Sequence, residues 1–590
     1  MVKLNGTKDR LDCFASGRSR KSSKTKHVES VLVPCLDAGS TPASSTCFLT
    51  LIKKRFSIFE FLKYLKLMKR RTAIKNLSAL PVAGIIGGAS AIQLIGCTNQ
   101  KTAKQPKKSI YESIGVRPLI NARGTVTVVG ASRVLPEVQQ AMDEAVLDYV
   151  QIDELMDCVG IRLAELTGAE SGCITAGASA AITAATAGCV TGGDPDKIWM
   201  IPDNIAGMKN EVIIPRYSRS AYDAGARAAG VKMIEVETIE DLKAAIRPST
   251  AMIMVLTGSR SENGPLSLRE IAAVAKPAGI PILADAAAEG LEVPNPHLSQ
   301  GADLVAYSGG KYLNGPQCAG LLLGRKDLVY AARMNTGPHH GFGRGFKVGR
   351  EEIMGMLAAV EMWFKRDHEA ERKLWTSRLE YIYDKLKDIQ GVTVDIRQSV
   401  GRSNPSPNLR VAWDLEKIPL RGVDVEDLLW DGNPCIAVGG AGSFLPFPPN
   451  FSPNITINSS QLTDGDEIII ADCVHKILSN PPTIKTPTGT PAQNLTGSWE
   501  LEMKFYASTV KQSLKIEQKD NALTGVHTGA IGARNLAGEI YGDEVLIRSA
   551  YGREGARINI TLTGTVTGNT MQGHAHLGEY GEATWSAKKV

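Results

Sequence analysis

Metal-type cysteine spacing is missing from this chain. Its ten cysteines also form no regular disulfide framework, which argues against both a cysteine-built metal centre and a stapled secreted scaffold. Long apolar runs are scarce too. The one candidate, ahead of residue 97, is short and glycine-rich for a spanning helix. Outside the N-terminus, excess positive charge is lacking as well. Residues 1–108 hold 21 Lys/Arg against 5 Asp/Glu, a net +16, so the overall +6 leaves −10 for residues 109–590. That acidic body lacks the basic surface that nucleic-acid binding usually requires, so a nucleic-acid partner is not expected. What is present is ordinary for a soluble enzyme, with 43% hydrophobic and 22% charged residues. A length of 590 residues predicts several domains.

The most informative stretch is Pro281 to Lys311, PILADAAAEGLEVPNPHLSQGADLVAYSGGK. Ile280–Ala284 and Leu304–Tyr307 read as adjacent buried strands of a parallel sheet. The first delivers Asp285 at its C-terminal end, and the second runs into Ser308-Gly309-Gly310-Lys311. Open α/β sheets bind ligands at the carboxyl ends of their strands, so both side chains would face one crevice. Alone, Gly-Gly-Lys is a common solvated turn, and an acid closing a strand is often a helix cap. In this order they suit pyridoxal phosphate (PLP), which needs a lysine amine for a Schiff base and a carboxylate to keep its ring nitrogen protonated.

The N-terminus reads as an address. From Met68, MKRRTAIKNLSALPVAGIIGGASAIQLIGC has a basic start, an apolar stretch and then Leu94-Ile95-Gly96-Cys97. RRTAIK resembles the twin-arginine export signal, with Ala73 in place of the usual bulky apolar residue. LIGC resembles the lipobox after which the cysteine is lipidated. The expectation is a signal peptide over 68–97, lipidation at Cys97, a tether over 98–109, and membrane attachment in the periplasm or cell envelope. An uncleaved anchor is the alternative. Residues 1–67 fit no domain, and VPCLDAGSTPASST resembles a translated transfer-RNA gene, so Met68 is the expected start.

In the body, Leu135–Val150 and Leu155–Thr167 are helical patterns. The turn Gly177-Ala178-Ser179-Ala180 opens an Ala-rich helix reaching about Thr191. A small-residue turn at a helix N-terminus suits a phosphate, although tight packing alone also explains it. Residues 212–300 alternate strands and helices, which predicts a mostly parallel, doubly wound sheet. A long helix over Glu351–Asp388, two strands and a last helix near Asp464–Ser479 complete a small α+β domain. Cys158, Cys173, Cys189, Cys318, Cys435 and Cys473 sit in apolar surroundings and read as buried free thiols.

Five segments, IYESIGVRPLINARGT, SRSAYDAGARAAGVKMIEV, GPLSLREIAAVAKPAGIPILADAAAE, DLVAYSGGKYLNGPQCAGLLLGR and GFGRGFKVGREEIMG, together resemble the selenocysteine-synthase-like group of PLP enzymes. That group includes seryl-tRNA selenium transferase and D-glucosaminate-6-phosphate ammonia-lyase. The resemblance covers about residues 110–480 and implies the aspartate-aminotransferase (type I) fold. It implies Lys311 as Schiff-base lysine, Asp285 as pyridinium partner, and Gly177, Ala178, Ser179, Ala180 and Ser308 around the phosphate. Arg344, Lys347 and Arg350 match a GRxxKVGxE stretch and are candidates to bind an anionic substrate group, or else to cap a helix or form surface ion pairs. Arg219 and Tyr222 match an R-x-x-Y-D element, which makes Arg219 a further substrate-binding candidate, with core packing at least an equal reading for Tyr222. Ser218 stands where relatives often carry histidine. A homodimer or higher homo-oligomer is expected.

The predicted organisation is a large PLP-binding domain over 110–340, the small domain over 341–480, a linker over 481–494 and an appended module over 495–590. In the last, apolar and polar residues alternate between turns, which predicts an antiparallel β-barrel or sandwich of six to eight strands. His574 and His576 alternate on one strand and read as a solvated face before a metal site. The expected activity is α,β-elimination of the ammonia-lyase type on a small amino acid or amino sugar acid. Selenium transfer to seryl-tRNA and a non-catalytic exported binding protein are the rivals; the acidic body opposes the first, and the intact Asp285 and Lys311 oppose the second.

Overall fold

Burial on both faces explains the continuous apolar strands of the central sheet. The computed structural model describes residues 109–440, 452–484, 488–553 and 556–590. The expected extension, signal peptide and Cys97 lie outside the described residues, as does nearly all of the tether. A short strand β1 (Leu119–Asn121) precedes β2 (Ser171–Thr175), β3 (Glu211–Pro215), β4 (Lys232–Val236) and β5 (Thr250–Leu256). Next come β6 (Ile282–Asp285), β7 (Leu304–Ser308) and β8 (Gly320–Gly324). Seven of these form one sheet in the order β2-β8-β7-β6-β5-β3-β4. β3 to β7 pair in parallel, whereas β8 is antiparallel to both β2 and β7. The connection from Ser308 to Gly320 is too short to carry a crossover helix, so the chain must return antiparallel.

Helices cover this sheet: α1 (Pro136–Ala145), α2 (Ile152–Thr167), α3 (Ala178–Thr191), α4 (Ile239–Ala245), α5 (Leu268–Ala275), α6 (Lys326–Met334) and α7 (Arg350–Trp363). α2 stops at Gly168, whose φ of +71° a glycine adopts without penalty. α3 is apolar on all sides because it lies inside the body. Gly188 allows α6 to approach it, since a Cβ there would lie 2.7 Å from Ala332 N.

The single long helix expected over Glu351–Asp388 is in fact two, α7 and α8 (His368–Leu386). Asp367 accepts hydrogen bonds from Glu369 N (3.1 Å) and Ala370 N (2.9 Å) and so starts a new helix. α1 likewise ends before Val150, with Ala145 and Val146 carbonyls accepting from Arg350. A second core gathers β9 (Val392–Arg397), β10 (Asn408–Trp413) and β12 (Asn454–Asn458) into an antiparallel sheet against α8 and α10 (Asp466–Ser479). α9 (Gly422–Asp431) precedes β11 (Cys435–Ala437), which pairs in parallel with β1, so the start of the body is tied to this C-terminal layer.

From Gly497 to Lys589 the chain closes an eight-stranded antiparallel barrel, β13 to β20, rather than a sandwich. Each strand is paired on both sides, so no edge is left open. His574 and His576 point outward, and no group of three His, Cys, Asp or Glu among the described residues is placed to hold a metal. All six body cysteines are free, but Cys158 and Cys318 are exposed. Cys158 lies off the face of α2 that buries Met156, Val159 and Leu163. None of the described helices is long and apolar enough to cross a membrane.

Candidate active site

The neighbouring ends of β6 and β7 bring the two key residues into one crevice. Asp285 is the last residue of β6, paired to Leu256 on β5 and Ala306 on β7, and its side chain is buried. Its carboxylate accepts a hydrogen bond from Ala287 N at 3.2 Å. Burial pushes its pKa up to about 6, against the pull of the Ala287 N–H and the Lys311 charge. Lys311 follows β7 by three residues and is half-buried. Burial holds its amine below the usual lysine range, and Asp285 only partly restores it. Its Nζ lies 5.9 Å from the centre of the Tyr222 ring, and no hydrogen bond or ion pair joins it to another described residue. Both groups are thus drawn toward their neutral forms. A buried carboxylate short of donors, beside an amine whose charged form burial disfavours, fits a cofactor with a cationic ring nitrogen and an aldehyde.

The candidate phosphate cradle lies beside them. Gly177 precedes α3 with φ +98°, and a Cβ there would meet nothing within 4 Å. The first N–H groups of α3, at Ala178, Ser179 and Ala180, have no partner within the helix and sit at its positive end. Gly320 on β8 faces Ser308 across the ladder, and a Cβ on Gly320 would strike Gly177 C at 2.3 Å. Ser308 and the cradle therefore share one edge of the crevice. Ser179 Oγ lies against Gly225, next to the turn that carries Tyr222.

The basic candidates separate. Arg219 is committed to Asp223 (2.5 Å) and Glu235, so it does not offer a free guanidinium to substrate. Arg350 donates to Ala145 O and Val146 O, both at 3.0 Å, which is a capping role. Arg344 donates to Pro338 O at 2.8 Å and is exposed, as is Lys347. Tyr222 is 59% exposed, so the core reading fails and it lies over the lysine instead. Ser218 is fully buried, its Oγ accepting from Leu256 N, which makes it structural.

Sequence reasoning missed a buried polar chain behind Asp285. Glu289 accepts from Thr257 Oγ1 and Ser403 Oγ (3.3 Å) and pairs with His297 Nε2 at 2.7 Å. Thr257 Oγ1 also donates to the Asp285 carbonyl at 3.0 Å. The acid four residues after Asp285, inside an otherwise apolar AAAEG turn, was the available signal. Ser132 was missed too. Its N–H donates to Gly310 O, and its buried Oγ has no partner among the described residues.

Such a site on such a sheet defines a PLP-dependent enzyme of the aspartate-aminotransferase-like class. The family of Cys/Met metabolism PLP-dependent enzymes matches residues 133–336. D-glucosaminate-6-phosphate ammonia lyase of Salmonella typhimurium is 33% identical over 335 residues, covering 55% of this chain and 87% of that protein. L-seryl-tRNA(Sec) selenium transferase of Rhizobium meliloti is 28% identical over 294 residues, covering 44% of this chain and 58% of that one. A solved structure of D-glucosaminate-6-phosphate ammonia-lyase superposes with a TM-score of 0.55 at 29% identity, covering 63% of this chain and 99% of that one. The chain belongs to the selenocysteine-synthase-like family of PLP-dependent enzymes.

Proposed function

We propose that the protein is an ammonia-lyase-type enzyme that performs α,β-elimination on a small amino acid or amino sugar acid. The observation that carries this reading is the uncommitted, half-buried amine of Lys311 facing the buried carboxylate of Asp285. Lys311 and Asp285 would hold PLP together with Gly177–Ala180 and Ser308. When bound, PLP draws off the electron pair left at Cα.

The chain's own residues supply the rest. Because burial disfavours its ammonium, Lys311 can take a proton at Nζ from the substrate Cα. Asp285, with one carboxylate oxygen bonded to Ala287 N, has the other left to face the ring nitrogen of PLP and would keep that nitrogen protonated. Tyr222 covers the lysine from the solvent side and limits water at Nζ. Arg344 and Lys347 remain candidates for an anionic substrate group.

The ammonia-lyase relative supports elimination over selenium transfer. It is matched over most of its length, whereas the transferase relative is matched over just 58%. The net −10 of residues 109–590 also disfavours a tRNA partner. We extend the proposal to twin-arginine export with lipidation at Cys97, on the signal-like residues 68–97, and to a homo-oligomer. The test is to supply PLP-loaded protein with D- and L-amino acids and with D-glucosaminate 6-phosphate while measuring ammonia and keto-acid release. Release that disappears in Lys311→Ala supports the reading; selenide-dependent turnover of seryl-tRNA without ammonia release overturns it.

A further inference from the structure

The barrel's two ends differ. One end is sealed by the segment leading into it: Ala492 N donates to Gly542 O (2.7 Å), Asn521 Nδ2 to Gly489 O (2.9 Å), and Trp499 Nε1 to Leu495 O (2.9 Å) beneath a fully buried Leu495. Above this floor the interior is packed with Trp499, Leu501, Leu514, Leu536, Ile547 and Leu562. Eight-stranded barrels of this width either fill their interior or hold one small ligand.

At the other end the inward positions change character. Gln512, His527, Arg534, Ser549 and Tyr551 line one wall, while the partly exposed Phe505 and Ile558 pack on the apolar core below. His527 is fully buried, with Nδ1 bonded to Ser549 Oγ (2.8 Å) and Nε2 to Gln512 Oε1 (2.6 Å). Burial, with Arg534 nearby, lowers its pKa to about 3, so it is neutral and adds no charge. Arg534 is 8% exposed, yet no carboxylate among the described residues pairs with it. Its only polar contact there, 3.4 Å from Nη2 to His527 Nε2, meets a ring nitrogen whose proton already goes to Gln512 Oε1, and its buried Nε has no partner among the described residues. The guanidinium reaches the rim, because a Cβ on Gly529 would lie 3.0 Å from Nη2. The Tyr551 hydroxyl stands at the same rim, 3.7 Å from where a Gly532 Cβ would be, and bonds to no described residue.

A buried, unpaired guanidinium is costly unless an anion completes it. A cation uncompensated among the described residues calls for a monoanion, its forked N–H groups match a carboxylate, and the half-buried Phe505 and Ile558 above a packed core suit a short apolar body. We propose that the open end of the barrel binds a small amphiphilic monocarboxylate, with Arg534 meeting the carboxylate, Tyr551 donating to it, and Phe505 and Ile558 receiving its apolar part. This site lies on the appended barrel and does not depend on the reaction assigned to the crevice.

The probe is hexanoate, titrated calorimetrically into the full-length, PLP-loaded protein, with hexan-1-ol and inorganic phosphate as comparators. Hexanoate should bind at millimolar concentration or below, at least about tenfold more tightly than either comparator. Arg534→Met should weaken it about tenfold or more, and Tyr551→Phe, which keeps the ring, should weaken it less. Failure of hexanoate to bind, or equal binding by hexan-1-ol, overturns the proposal on the native protein alone. Undiminished binding by folded Arg534→Met would assign the carboxylate to another site and overturn it as well.

Discussion

Replacing Asp285 with asparagine separates the cost of this acid from its use. Burial raises the carboxyl from 3.8 to about 6. The folded chain therefore binds this proton more tightly than the unfolded chain, and ionising the group opposes folding. The linkage sign follows: stability contributed by the protonated acid is present below about pH 4 and declines as pH rises toward 6 and beyond. A difference of about two pKa units corresponds to about 3 kcal/mol of destabilisation at pH 7.5. Asp285→Asn keeps the shape and an acceptor for Ala287 N while removing the charge. In cofactor-free protein it should therefore raise stability by up to about 3 kcal/mol at pH 7.5, with little change near pH 4. The same substitution should lower turnover of the PLP-loaded enzyme by about a hundredfold or more, since no anion then holds the ring nitrogen protonated. Thermal unfolding of cofactor-free protein at the two pH values, with ammonia release by the loaded form, measures both effects. A destabilised variant at pH 7.5, or a gain equal at both pH values, would refute the assignment of the shift to desolvation.

Four further outcomes follow from named contacts. Lys311→Ala should abolish turnover and the visible absorbance of a covalently held cofactor, read by spectrum and ammonia assay. Wild-type turnover should rise with pH through a transition below the ordinary lysine range, because burial lowers the pKa of the Lys311 amine that substrate frees; a pH–rate profile of kcat checks this. Gly320→Ala should weaken PLP binding more than Gly177→Ala, because its Cβ would strike Gly177 C at 2.3 Å whereas a Cβ at Gly177 meets no atom within 4 Å and adds only the backbone strain of a conformation essentially confined to glycine, about 1–3 kcal/mol. Metabolic labelling with a fatty acid should modify the wild-type chain and leave Cys97→Ser unlabelled.

The legible part of this protein was the part written in local pattern. β6 and β7 are runs of apolar residues because both faces are covered, and the acid and lysine stand where those runs end. The barrel strands alternate with period two, so their existence was readable, but closure depends on β13 pairing with β20, some eighty residues apart. The break between α7 and α8 was hidden because Asp367 caps a helix while its flanks keep helical composition. Arg219 looked available because its partner Glu235 lies on a neighbouring strand. Tyr222 looked like core because an aromatic says nothing about which side of a short turn it faces. No local pattern marks Arg534 or His527, and only the register of β14 to β17 turns them inward.

The chain behind Asp285 explains how the C-terminal layer reaches the chemistry. Glu289 is buried, and a buried carboxylate is tolerated only when its lone pairs are occupied. Its partners come from three places: Thr257 at the end of β5, His297 from the segment before β7, and Ser403 from the loop between β9 and β10. Three residues further along that loop, Ser406 bonds the Tyr312 hydroxyl at 2.7 Å, next in sequence to the lysine, and also accepts from Asn458 of β12 at 2.8 Å. One loop of the second layer thus touches the neighbour of Asp285 and the neighbour of Lys311 at once. Any displacement of that layer must either break the Ser403 bond, leaving Glu289 with one donor fewer beside Asp285, or carry Tyr312 and the Lys311 backbone along with it. The position of the C-terminal layer and the electrostatics of the crevice are therefore set by the same few hydrogen bonds.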